Sequence, residues 1–264
     1  MKSKKVCHWI AFGALFAASC VLSVIPIEYS SDVRLNAMLR TFIPLLFALP
    51  VAVAFLYGER KGLFARPVRI AWLTLALVVA LNNLPWLCWL NGSCSFARVK
   101  KGTVAVFLLY CVAVGLFEEI VFRGLIFSYL IEAFSKTKKG LIVAFTVSSV
   151  LFGVLHLSNL FGGAGIGDTL LQTVYSTLIG GLCAFVLLKT KNIACPSLIH
   201  FLYNFCGLLF DGRVGLGNGI PYHLPTFILN VVVGLLVGIT VVVSLFSYTD
   251  QERNELYERM GISA

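Results

Sequence analysis

The chain reads as an all-α protein, a polytopic membrane helical bundle of about eight transmembrane helices. Three observations carry that prediction. Of its 264 residues, 59% are hydrophobic and only 12% charged, against about 45–50% and about 25% in soluble domains. Mean hydropathy is +0.91. The apolar residues fall into runs near the roughly 20 residues that cross a bilayer as a helix, and none shows the alternation of a β-barrel strand.

The first run covers Cys7–Ile27. Its lysines, apolar stretch and AASC at Ala17–Cys20 resemble a signal peptide, with lipoprotein-type cleavage as the alternative. VLSVIPI continues the run, so an uncleaved first helix is expected. The second and third runs are Leu39–Tyr57 and Ile70–Leu90. The third holds Asn82 and Asn83 before Pro85, amides read as satisfying backbone groups freed near the proline. The fourth, Thr103–Ile131, is longer than a span needs, so it is tilted, broken or projecting. Leu141–Leu157 and Thr169–Leu188 follow. The seventh, Ile193–Phe210, is short and carries Pro196 in its first turn, where proline is tolerated. Pro225–Ser247 is the eighth.

These runs make one integral-membrane domain, residues 1–247, with a short charged tail, residues 248–264, read as a solvated helix. The glycine-rich loop Ser158–Asp168 lacks the strand-before, helix-after context of a phosphate loop, so it is a flexible connection. The loop Asp211–Leu224, with Gly215, Gly217, Gly219 and Pro221, reads as a mobile cover. No internal repeat is visible, which argues against an inverted-repeat transporter.

The net charge of +9 does not point to nucleic acid, because the basic residues flank the spans in short loops. That is the positive-inside pattern. Lys2, Lys4, Lys5, Arg60, Lys61, Arg66, Arg69, Lys136, Lys138, Lys139, Lys189, Lys191, Arg253 and Arg259 fall on one side. Arg34, Arg40, Lys100, Lys101, Arg98 and Arg213 fall on the other. A multi-pass protein of the cell membrane with both termini cytoplasmic is the expectation. The eight cysteines form no CxxC or metal-finger spacing and are read as small buried hydrophobes.

Ionisable side chains within a span cost about 2.5–3.5 kcal/mol each on insertion scales, so they mark function by default. In GLFEEIVFRGLIF, Glu119 and Arg123 are i and i+4 and share a helical face, while Glu118 points about 100° away. One carboxylate is thus neutralised on its own helix and its neighbour stays available; an inert ion-pair cluster is the alternative. Phe152 and His156 of FGVLH share a face, and so do His200 and Asn204 of HFLYN. The latter pair offers two donors for a developing oxyanion, or a polar clamp between helices. His8 and His223 are read as incidental.

EEIVFR (Glu118–Arg123), FGVLH (Phe152–His156) and HFLYN (His200–Asn204) match in order the EExxxR, FxxxH and HxxxN motifs of one family. The chain resembles the CAAX protease and bacteriocin-processing family (CPBP, or Abi), which includes the type II CAAX prenyl endopeptidases. The motif core is residues 103–210. The resemblance implies an intramembrane endopeptidase of glutamate type acting on a peptide or protein substrate at the bilayer. Glu118 would activate water with help from His156, His200 and Asn204 would stabilise the oxyanion, and Glu119, Arg123 and Phe152 would support the site. No cofactor is expected. In a zinc-dependent version the ligands would be Glu118, His156 and His200. Substrates of the kind implied are a prenylated C-terminus, a peptide leader or a membrane protein. Two rivals stand beside this reading: a non-enzymatic bacteriocin self-immunity or scaffold protein, and a proton-coupled transporter.

One difficulty follows from helix geometry. If both helices start at one surface, His156 lies about 24 Å along its helix and His200 about 12 Å. Their meeting requires tilt, a shifted start or a re-entrant piece.

Overall fold

The computed structural model describes Gly13 and residues 27–134, 137–219 and 224–262. Apart from Gly13 and Ile27 the expected first span lies outside them, as do His8, His223, Pro221, Cys7 and Cys20. The helical membrane bundle is as expected. Among the described residues five helices are long and apolar enough to cross a membrane: Val33–Phe64, Lys101–Phe134, Lys138–Gly162, Ile166–Thr190 and Leu224–Phe246.

Helix α1 is Val33–Arg60, opened by Asp32, whose carboxylate accepts from the amides of Arg34 and Leu35. The expected third span is broken. Its helix, α2 (Leu73–Asn82), stops before a turn at Pro85, and a short α3 (Trp86–Leu90) follows. Proline removes a donor and pushes the residue before it out of helical geometry. The Trp86 indole donates to the Leu81 carbonyl at this break. The asparagines do something else: Asn82 Nδ2 donates to Asn230 Oδ1 at 2.6 Å, and Asn83 Nδ2 to the Tyr203 carbonyl at 2.9 Å. They tie α2 to two other helices.

Helix α4 is one rod, Lys101–Phe134, whose middle, Ile120–Phe127, is wound as a π-helix. Helix α5 (Lys138–Leu155) continues as a 3₁₀ segment, His156–Gly162, so the expected flexible connection is largely helical. Helices α6 (Ile166–Thr190), α7 (Ala194–Leu208), α8 (Leu224–Phe246) and α9 (Asp250–Met260) complete the chain.

Small residues let these helices approach closely, as packing within lipid requires. A Cβ at Gly153 of α5 would meet Thr177 Oγ1 of α6 at 1.9 Å, and one at Gly115 of α4 would meet the Phe201 backbone of α7 at 2.8 Å. The outer faces expose Val174, Leu178, Leu235, Leu236 and Ile239, side chains suited to lipid contact.

One end of the bundle gathers the residues read as inner. Arg60 bonds Glu132 and the Met260 carbonyl, Arg69 and Lys191 bond Glu255, and Lys189 bonds Glu252. The tail is therefore not simply solvated. Helix α9, opened by a capping box of Thr249 and Glu252, buries Leu256 and Met260 beneath this ionic network. At the opposite end, the stretch after α3 is laced to the stretch after α7 by Ala97 N–H to Leu216 O and Asn218 N–H to Ser95 O. The described part of the expected mobile cover is a packed clasp: a Cβ at Gly215 would meet the Leu208 carbonyl at 1.8 Å, and one at Gly217 would meet Phe210 at 2.5 Å.

The depth problem is resolved by a shifted start. Gly115 of α4 lies against Phe201 of α7. From Gly115 to Phe134 is about 28 Å of helix, whereas from Phe201 back to Ala194 is about 10 Å. Helix α7 thus begins about 18 Å short of the end of α4. The turn leading into it, Lys189–Asn192, is buried under Leu63, Ala65 and α9, with Ile193 N–H bonded to the Leu63 carbonyl and Asn192 Nδ2 to that of Ala65.

Candidate active site

Glu118 and Glu119 close the α-helical part of α4, and Arg123 lies one turn on, inside the π segment. Nothing in the local residues signals this winding. A π-helix bonds each N–H five residues back, and such segments concentrate at functional sites. Where the ladder returns to α-helix, Ser128 Oγ donates to the carbonyl of Gly124 at 2.5 Å. Gly124 itself admits Leu56 of α1, which a Cβ would meet at 2.4 Å.

Glu119 and Arg123 are both fully buried, with Glu119 Oε1 3.1 Å from Arg123 Nη1. The guanidinium lies off the line of a hydrogen bond, and none of its nitrogens has a hydrogen-bond partner among the described residues. It rests instead on the Phe152 ring, with Cζ 4.3 Å from the centroid, a cation–π contact strengthened by burial. Gly180 of α6 leaves room for it: a Cβ there would meet Arg123 Nη2 at 2.9 Å.

His200 reaches the same carboxylate from α7. Its Nδ1 lies 2.8 Å from Glu119 Oε1, and its Nε2 lies 3.5 Å from Glu118 Oε2. Paired with Arg123, the Glu119 carboxylate accepts, so Nδ1 is the donor in that bond. Glu118 keeps about a quarter of its side-chain surface open, 24%, while Glu119 has none. The neutralised and available carboxylates of the spacing argument therefore occur together at one imidazole.

Phe152 packs edge-on against two imidazoles, with centroid distances of 5.6 Å to His200 and 5.1 Å to His156. At the end of α5 the helix tightens to 3₁₀, and the His156 amide turns to Gly153 and Val154. The Phe152 carbonyl is left to the His156 ring, whose Nδ1 lies 3.0 Å away. A carbonyl only accepts, so Nδ1 donates, and in the neutral ring Nε2 keeps its lone pair. Asn204 stands one turn beyond His200 on α7 and is half-buried.

The expected zinc trio of Glu118, His156 and His200 is not the one whose ligand atoms converge. Among the described residues, that group is Glu119, Cys183 and His200, with all ligand atoms within 4.8 Å and all three residues buried. Cys183 was missed in the sequence, where it belongs to no motif and reads as an apolar position of α6.

Residues 100–206 match the family described as type II CAAX prenyl endopeptidase Rce1-like. No curated protein and no solved structure matches the chain. The matched segment contains all three motifs and the polar cluster they build. The resemblance carried by EExxxR, FxxxH and HxxxN is therefore borne out: the segment that holds them, residues 100–206, is similar to the Rce1-like type II CAAX prenyl endopeptidases.

Proposed function

We propose that the protein is an intramembrane endopeptidase in which Glu118 is the general base. The observation that carries this reading is the juncture of two motifs: His200 lies between buried Glu119 at 2.8 Å and half-open Glu118 at 3.5 Å. Arg123 neutralises Glu119, so Glu119 fixes the imidazole rather than taking protons. Glu118 is left to receive the proton of a water as that water attacks the scissile carbonyl. His156, with Nε2 unprotonated, assists at that step. The oxyanion takes donors from Asn204 and from His200. Collapse breaks the C–N bond, and Glu118 returns the proton to the leaving amine.

We read the site as metal-free on the chemistry of its donors. The three ligand atoms that converge lie beside Arg123, whose guanidinium is 3.1 Å from Glu119. A divalent cation there would face a fixed positive charge that cannot titrate away. The substrate is a peptide or protein reached at the membrane, such as a prenylated C-terminus, a leader peptide or a membrane protein. The termini are cytoplasmic in this reading, supported by the collection of Arg60, Arg69, Lys189 and Lys191 at one end.

The test is detergent-purified protein against a quenched-fluorescence peptide library, with and without chelator, beside Glu118→Gln. Cleavage that resists chelation and disappears in the variant is expected. Cleavage lost to chelator and restored by zinc would overturn the metal-free mechanism. Equal cleavage by wild type and variant would overturn the role of Glu118.

A further inference from the structure

We infer that Cys88 and Cys94 are the two halves of a disulfide that closes the stretch between α3 and α4. Both side chains are buried, with 2% and 4% of their surface exposed, in one small cluster with Phe210. The Cys94 amide donates to the Cys88 carbonyl at 3.1 Å, which joins the two backbones directly across the turn. A disulfide asks for Cα atoms about 4.4–6.8 Å apart and side chains on one side, and membership of one cluster meets the second demand.

The turn is built to hold that approach. Gly92 takes a left-handed φ of 76°, and the Asn91 carboxamide accepts from the Ser93 amide at 2.9 Å. Cys94 is pressed from the other side by the stretch after α7, where a Cβ at Gly219 would stand 3.1 Å from Cys94 Cβ. Trp89 stacks on Phe210, with centroids 6.1 Å apart. The two sulfurs thus lie beneath the clasp that joins the entry of α4 to the exit of α7.

Both cysteines are free thiols in this structure. Burial, together with a thiol hydrogen bond to Cys88, pushes the Cys94 thiol up to about 12. A folded, reduced pair is therefore a poor nucleophile, and oxidation belongs before the clasp closes. The step joins the sulfurs, removes both thiol protons and passes two electrons to a protein disulfide, which leaves as a dithiol. This end of the bundle lies opposite the lysine- and arginine-rich end, hence outside the cytoplasm in the orientation given above, where disulfides persist.

The experiment is mass spectrometry of protein taken from membranes without reductant, denatured and alkylated. Trypsin yields residues 70–98, which contain no other cysteine. The expected peptide carries no alkyl group and is lighter by two hydrogens, and it gains two alkyl groups after reduction. Two alkyl groups before reduction would overturn the inference, and so would a bond from either cysteine to another partner. An impermeant amine reagent on intact cells, read at Lys100 and Lys101, reports separately which side this end faces. Cys88→Ser with Cys94→Ser is expected to lower Tm by about 5 °C, with reductant then having no further effect. Unchanged Tm in a sample whose wild type is disulfide-bonded would refute the stabilising role.

Discussion

Gly180→Ala tests whether Arg123 is held by shape as well as charge. The added Cβ would stand 2.9 Å from Arg123 Nη2, 3.1 Å from Phe152 Cδ1 and 3.3 Å from the Ser149 carbonyl. Ordinary contact begins near 3.4 Å, so the guanidinium must withdraw by about half an ångström toward Glu119. Overpacking of this kind costs about 1–3 kcal/mol, while replacing a mid-helix glycine by alanine returns about 1 kcal/mol. A net loss of about 0–2 kcal/mol follows. Activity should suffer more than stability. A misplacement near 1 Å costs on the order of 100-fold in rate, so half of it implies about 10-fold, read in kcat rather than KM. Gly181→Ala is the control on the same helix: the nearest atoms its Cβ would meet belong to the Phe145 and Ser149 side chains, at 3.4 to 3.6 Å. It should hold wild-type activity and unfold at or above the wild-type temperature in detergent. If Gly180→Ala cleaves peptide at the wild-type rate and matches Gly181→Ala in Tm, the claim that Gly180 seats the guanidinium is wrong.

Glu119→Gln leaves Arg123 buried without its counter-charge and should destabilise the protein by about 3–5 kcal/mol, whereas Glu118→Gln should abolish cleavage with little change in Tm; thermal unfolding of the two side by side separates the roles. Leu256→Ala empties a fully buried position of α9 and should cost about 2–5 kcal/mol of docking, seen as faster tryptic cleavage at Arg253. Acid should release the same helix. Hydrogen bonds from Arg69 and Lys191 hold Glu255 down at about 2, below its ordinary 4.5. The stabilisation it brings is complete above about pH 4.5 and is lost as pH falls toward 2. Amide hydrogen exchange across residues 250–260, corrected for intrinsic rate, should rise in that window, and an unchanged profile would deny Glu255 its part in docking.

The bundle was legible because lipid leaves a helix few alternatives, and hydropathy alone marks most of its rods. The ion pair of Glu119 with Arg123 was legible because it is local, four residues apart on one helix. What could not be read depends on how helices meet. His200 joins Glu119 only because α7 starts deep, and that start is set by a turn covered from elsewhere in the chain. Pro85 reads as lying inside one continuous span that the structure breaks, and the partners of Asn82 and Asn83 are long-range. Cys183 carries no local signal, since a buried cysteine beside a carboxylate looks in sequence like one beside leucine. The π winding of Ile120–Phe127 is silent too: nothing in IVFRGLIF favours it over an ordinary helix.

The buried turn between α6 and α7 makes the basic end of the bundle and the chemistry parts of one lever. Lys191 adopts a left-handed φ of 54°, a conformation that side-chain-bearing residues take at a cost, and its ammonium is bonded to Glu255 of α9. About two turns into α7, the helix this turn begins, stands His200. Whatever lifts α9, whether truncation, a bulky fusion or a partner that grips its acidic face, frees the fulcrum on which the imidazole is aimed. The terminal helix can thus be used as a handle on catalysis about 10 Å away along α7, without touching any residue of the site.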